Sequence, residues 1–154
     1  MDDVEKEKRS LLKDEYLHIQ KTIVELDGRA ITIKAWSVSF SLASAGAAFA
    51  VHRPPVLLLS AFSALMFWVI EARWKQFQYG FYGRSKAIEL FFQGLAPGTI
   101  PMQIDHHWYS VARTSEQPRL LKVMRKSHVA LPHVAIAAGA VLLFILARRG
   151  ALTI

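Results

Sequence analysis

Three groups of residues have types and spacings that bear on chemistry. The densest is Asp105-His106-His107, which sets a carboxylate beside two imidazoles within Pro101–Tyr109. Adjacent histidines project in different directions from a helix, and no third ligand follows at metal-site spacing, so no metal centre is expected here. The second group is Arg119, Lys122, Arg125 and Lys126, four cations on one broad helical face flanked by Leu120, Leu121, Val123 and Met124. Such a face attracts either anionic lipid headgroups or the phosphates of a nucleotide or short DNA strand. Trp74, Phe77, Tyr79, Phe81, Tyr82 and Trp108, close by in sequence, would let bases stack between the cations. With His106 and His107, the four cations make up the candidate anionic-ligand site. The third group is Ser37, Ser41, Ser44 and Ala48, spaced i, i+4, i+7 and i+11 on one helical face. Two uses want the same small side chains: close packing of membrane helices, with hydroxyls bonding across the contact, or a mildly polar lining for a pore.

Several chemistries are excluded. The chain of 154 residues has no cysteine, which removes disulfides, thiolate nucleophiles and Cys-based metal clusters. Gly83-Arg-Ser-Lys86 has the wrong spacing and order for a phosphate-binding loop. There is no nucleophile elbow, clustered carboxylate pair or His-x-x-x-His helix, so neither an enzyme nor a cofactor is expected.

The elements that position these groups follow from hydropathy. Apolar runs cover Ala35–Val51, Pro55–Ile70 and Leu131–Ala147, of 17, 16 and 17 residues. A bilayer core needs about 20 residues of helix and accepts about 17. Flanking aromatic and long basic residues lengthen each run, and three such runs in a short chain leave too few other helices to cover them in water. The fold expected is therefore all-α with three transmembrane helices. The link through His52-Arg53-Pro54 is short enough for a tight hairpin, with prolines to start the second helix. The divisions are residues 1–34, a cytoplasmic helix; 35–70, a transmembrane hairpin; 71–128, a basic cytoplasmic segment; 129–147, the third span; and 148–154, a tail.

Beyond the hairpin both helices continue. Leu12, Tyr16, Ile19, Ile23, Leu26, Ala30 and Ile33 follow an alternating four-three spacing, a heptad seam that Leu17, Val24 and Ile31 widen. This seam is the candidate oligomerisation surface, through Leu12, Tyr16, Ile19, Ile23 and Leu26. The second helix meets no strong breaker between Pro55 and about Phe92, after which a loop is expected. Glu71 and Lys75 are spaced for an i,i+4 pair on it. Two long helices joined by a hairpin run antiparallel, so the hairpin extends into a cytoplasmic stalk. Glu71 and His133 fall near the same membrane boundary, which permits a hydrogen bond between them. A proton pathway would need a carboxylate deeper in a span, and none is present.

All but three (Arg53, Arg148 and Arg149) of the 19 Lys and Arg residues fall on residues 1–34 and 71–128. That asymmetry puts the N-terminus and the basic segment in the cytoplasm, with the C-terminus periplasmic or external. The charged start MDDVEKEKRS is no signal peptide.

Lys34-Ala-Trp-Ser-Val-Ser-Phe40, Phe67-Trp-Val-Ile-Glu-Ala-Arg-Trp-Lys-Gln-Phe-Gln78 and Pro101-Met-Gln-Ile-Asp-His-His-Trp108 together resemble small bacterial inner-membrane proteins with a long N-terminal helix, a hairpin and a last span. The nearest theme is the membrane effectors of antiphage defence, among them the channel component of Hailong-type systems. The resemblance implies an oligomeric pore and an anionic ligand such as short DNA; it carries over no individual binding residue. The function expected is an oligomeric, ligand-gated inner-membrane channel or effector of antiviral defence. The alternative is a non-conducting scaffold or adaptor whose stalk binds a protein partner.

Overall fold

The computed structural model describes residues 2–113 and 118–152 and is all-helical over them, with five α-helices and no strand. Residues 114–117 of the basic segment and 153–154 of the tail lie outside the described residues. Helix α1 runs Asp3–Ala50, α2 Leu57–Phe92, α3 Ile104–Arg113, α4 Leu120–Met124 and α5 Ser127–Arg148. A 3-10 turn at Pro54–Val56 leads into α2, and its prolines supply the fixed φ that starts a helix. His52 closes α1 in the left-handed region (φ 49°), and the Arg53 amide reaches back to the Ala48 carbonyl at 3.1 Å. That is a Schellman-type stop, normally served by glycine. Gly94 (φ 79°) ends α2 in the same way, with the Leu95 amide on the Leu90 carbonyl at 2.9 Å.

The chain divides into two compact units: residues up to Gly28 with Trp74–Arg119, and Arg29–Arg73 with Leu120 onward. In the first unit, Leu12, Ile19 and Ile23 of α1 pack on Ile88 and Phe91 of α2, with Tyr16, Phe81 and Ile104 at the edges. Lys75 with Asp27, Gln78 with Ile23 and Arg84 with Glu15 descend one helix as they climb the other, so the two stretches are antiparallel. In the second unit many of the packed residues are small: Ala48, Ala61, Ala64 and Ala72 are buried, as are Ser37, Ser41, Ser60 and Ser63, together with Ile33, Leu57, Val123 and Val129. Large apolar side chains point outward instead, among them Phe40, Leu42, Phe62, Leu131 and Leu142.

Two helices among the described residues are long and apolar enough to cross a membrane, Pro54–Phe92 and Ser127–Arg148. The Ala35–Val51 stretch does not reach that level. Lys34 precedes it, four serines dilute it, and α1 ends at Ala50. The expected loop after Phe92 also needs correcting, because α3 and α4 lie within it.

Candidate functional site

In the second unit, four polar side chains from three helices form one connected chain. Lys34 of α1 donates from Nζ to Glu71 Oε1 of α2 at 2.6 Å. The other carboxylate oxygen, Oε2, lies 2.9 Å from His133 Nε2 of α5. The far ring nitrogen, Nδ1, lies 3.1 Å from the Ser37 hydroxyl on α1. Glu71, His133 and Ser37 are fully buried, while Lys34 keeps partial access to solvent. With Glu71 ionised beside Lys34, only one neutral arrangement satisfies every atom. His133 donates from Nε2 to the carboxylate and accepts the Ser37 proton at Nδ1. Buried charge survives only when paired and hydrogen-bonded in this fashion.

One turn along α1 a second polar contact continues the line. Ser60 donates to the Ser41 carbonyl at 2.7 Å, Ser41 Oγ and Ser63 Oγ are 3.3 Å apart, and Ser63 donates to the Ser60 carbonyl at 2.9 Å. Ser44 is half-buried and bonds the Phe40 carbonyl of its own helix, and Ala48 is fully buried. A groove of about 210 Å³ runs past Ser41 between α1 and α5, floored by Ala45, Ile136 and Gly139. The Ser37–His133–Glu71 order resembles a hydrolytic relay with its two ring nitrogens exchanged, and this serine has no exposed surface for a substrate to approach. The physical effect of these contacts is to tie α1, α2 and α5 together.

The expected Glu71–Lys75 pair does not form. Lys75 instead pairs with Asp27 and donates to Gln78 Oε1 at 3.0 Å. An i,i+4 pair is worth only a few tenths of a kcal/mol, less than a buried pairing across helices offers each partner. The anticipated Glu71–His133 contact is present; the roles of Lys34 and Ser37 in it were missed. Lys34 reads in sequence as a snorkelling residue, and nothing local links it to a position 37 residues away.

The first unit holds a second buried ion pair, whose partners sequence reasoning did not bring together. Glu15 receives Arg84 Nε on Oε1 and an Arg84 terminal amine on Oε2, both at 2.8 Å. The backbone amides of Met102 and Gln103 donate to the same oxygens at 2.8 and 3.2 Å, and Arg84 also donates to the Ile100 carbonyl at 2.7 Å. Burial pushes the Glu15 carboxyl up, but the Arg84 bonds and charge and the two amides outweigh it, holding the group below its ordinary value. Met102 sits at φ 61°, an uncommon conformation for a methionine, with its amide aimed at the carboxylate. The clamp fixes the segment that leads into α3.

Helix α3 then settles on two glycines of α2. Trp108 lies where a side chain on Gly80 would be, and His107 Nε2 lies 2.5 Å from the Cβ position of Gly83. The Trp108 indole donates to the Phe77 carbonyl at 3.2 Å. His107 is half-buried there, whereas His106 and Asp105 are exposed. Of the four cations, Arg119 is exposed at the edge of the first unit, and Lys122, Arg125 and Lys126 belong to the second. No group of three metal-ligating side chains converges among the described residues. Leu12, Tyr16, Ile19 and Ile23 face α2 of the same chain and Leu26 is buried, while Leu17, Val24 and Ile31 are exposed.

Comparison with known protein families, with curated proteins and with solved structures finds no match.

Proposed function

We propose that this chain is the subunit of an oligomeric bacterial inner-membrane effector, an ion channel whose cytoplasmic part controls the membrane helices in response to an anionic ligand. The first unit is the cytoplasmic part, a stalk of two antiparallel helices. The second unit holds three spans, Ala35–Val51, Pro55–Ile70 and Leu131–Ala147, with the N-terminus inside and the C-terminus outside. The observation that carries this reading is the Lys34–Glu71–His133–Ser37 chain. Ionisable groups at membrane depth are costly and mark ion pathways or switching elements. This one links α1, α2 and α5 at the boundary of the spans, with Lys34 and Glu71 one residue outside them and Ser37 and His133 inside. Support also comes from the outward aromatic and aliphatic side chains of the second unit, which suit lipid far better than water. The antiphage role rests on the resemblance of Lys34–Phe40, Phe67–Gln78 and Pro101–Trp108 alone.

A second reading, a non-conducting scaffold whose stalk holds a protein partner, is favoured by one observation. Ser41, Ser60 and Ser63 complete their hydrogen bonds within the chain, and Ser37 with His133, so that face is not free to line a pore. A conducting subunit would then use another face. Single-channel recording from purified oligomer in planar bilayers separates the two. Discrete currents that change with short oligonucleotides are expected; silence from an inserted oligomer, with or without oligonucleotide, overturns the channel and leaves the scaffold.

A further inference from the structure

The short α4 segment carries an exposed basic surface to which the channel reading gives no role of its own. Its inner side is fixed: Val123 is fully buried, and the Trp68 indole of α2 donates to the Met124 carbonyl at 3.1 Å. The Arg125 and Lys126 amides close the turn on the Leu121 and Val123 carbonyls, and Lys126 is extended (ψ 132°). The chain bends there before α5 starts at Ser127. The outer side of the turn carries Leu121, Lys122 and Arg125, all exposed. Leu121 is 66% exposed, an apolar side chain beside two exposed cations. A soluble phosphate ligand would engage the cations and leave this leucine in water. A leaflet surface engages both, with cations at the phosphates and the leucine at the edge of the acyl region.

Resting on the membrane reading above, we infer that residues 120–126 form a docking surface for anionic phospholipid of the inner leaflet, held by Lys122 and Arg125 with Leu121 inserted beside them. Two observations fix this occupant over nucleic acid. The segment runs directly into α5, one of the two helices long and apolar enough to span, so its cations fall at the height of headgroups. Its apolar outward residue has no use in a phosphate-only site. A juxtamembrane cation favours an anionic surface by about five-fold.

Retention of phosphatidylglycerol against phosphatidylcholine by the purified full chain, read by native mass spectrometry from mixed-lipid nanodiscs, tests the inference. The wild type is expected to prefer the anionic lipid, and K122Q/R125Q to lose about thirty-fold of that preference, ~2 kcal/mol at about 1.4 kcal/mol per decade. K13Q/K21Q removes equal charge from the exposed face of α1 in the first unit and is expected to keep the preference. Equal retention of both lipids by the inserted wild type overturns the inference. So does a fluorescent 20-nucleotide strand whose binding is lost in K122Q/R125Q while lipid preference is not. A chain that stays soluble without detergent would instead overturn the membrane reading itself.

Discussion

Replacing Glu15 by glutamine changes one oxygen to an amide and little in volume, yet it should be among the most damaging substitutions in the first unit. Each carboxylate oxygen accepts from two donors: Oε1 from Arg84 Nε and the Gln103 amide, Oε2 from an Arg84 terminal amine and the Met102 amide. Whichever position the new NH₂ takes, it faces two N–H groups and can accept from neither. The guanidinium, itself only 7% exposed, loses its counter-charge at the same time. Removing one partner of a buried pair costs about 3–5 kcal/mol, a large share of the ~5–15 kcal/mol that holds a domain together. Thermal unfolding of the detergent-purified protein, with hydrogen exchange at residues 99–103, measures both the loss and its location. R84K keeps the charge but not the fork, and should recover only part of the stability. An E15Q protein within about 0.5 kcal/mol of wild type, with unchanged exchange at Met102 and Gln103, would refute the clamp.

Three further outcomes follow from the same contacts. Because the folded Glu15 carboxyl lies below its ordinary value, near 4.3 in an unfolded chain, its stabilisation is complete above that pH. It is lost as the pH falls through the folded value, so wild type should lose stability on acidification below about 4.3 and E15Q should lose less. G80A would drive a methyl into the Trp108 ring, costing ~1–3 kcal/mol and shifting tryptophan emission as α3 lifts; an unchanged spectrum and midpoint would argue against the packing. H133A leaves one Glu71 oxygen and the Ser37 hydroxyl without partners, for a loss of ~1–3 kcal/mol. Its effect should be coupled to that of E71Q by more than ~0.5 kcal/mol, and strict additivity of the two would contradict the pair.

What could be read from the sequence was whatever depends on periodicity. The helical extents of α2 and α5, and the burial of Leu12, Ile19 and Ile23, follow from where apolar residues recur along a helix. The heptad seam illustrates the limit. Its spacing reveals that a face is covered but not by what, and in the structure α2 of the same chain covers it. Gly80 and Gly83 resist reading for a related reason: in sequence they weaken a helix, and only the arrival of α3 makes them seats for Trp108 and His107. Helices α3 and α4 were missed because loop signals such as Gly94, Pro97, Gly98 and Pro101 dominate the stretch before them. The strong apolar contrast of Ile104–Arg113 is too short to outweigh those signals.

The two buried ion pairs carry that limit further. Glu15 lies beside Tyr16 on the covered face of α1, where a charge is costly unless something specific receives it. That anomaly is visible in sequence; its solution, an arginine 69 positions away and two loop amides, is not. Glu71 is the parallel case in the second unit, received by Lys34 and His133. In both, a carboxylate on one long helix is met by a cation on the other and by a later segment, the Met102–Gln103 backbone or α5. Each unit thus fastens its third segment onto the α1–α2 pair through a carboxylate that two segments share. Loss of either carboxylate would therefore free a segment, not merely weaken a surface.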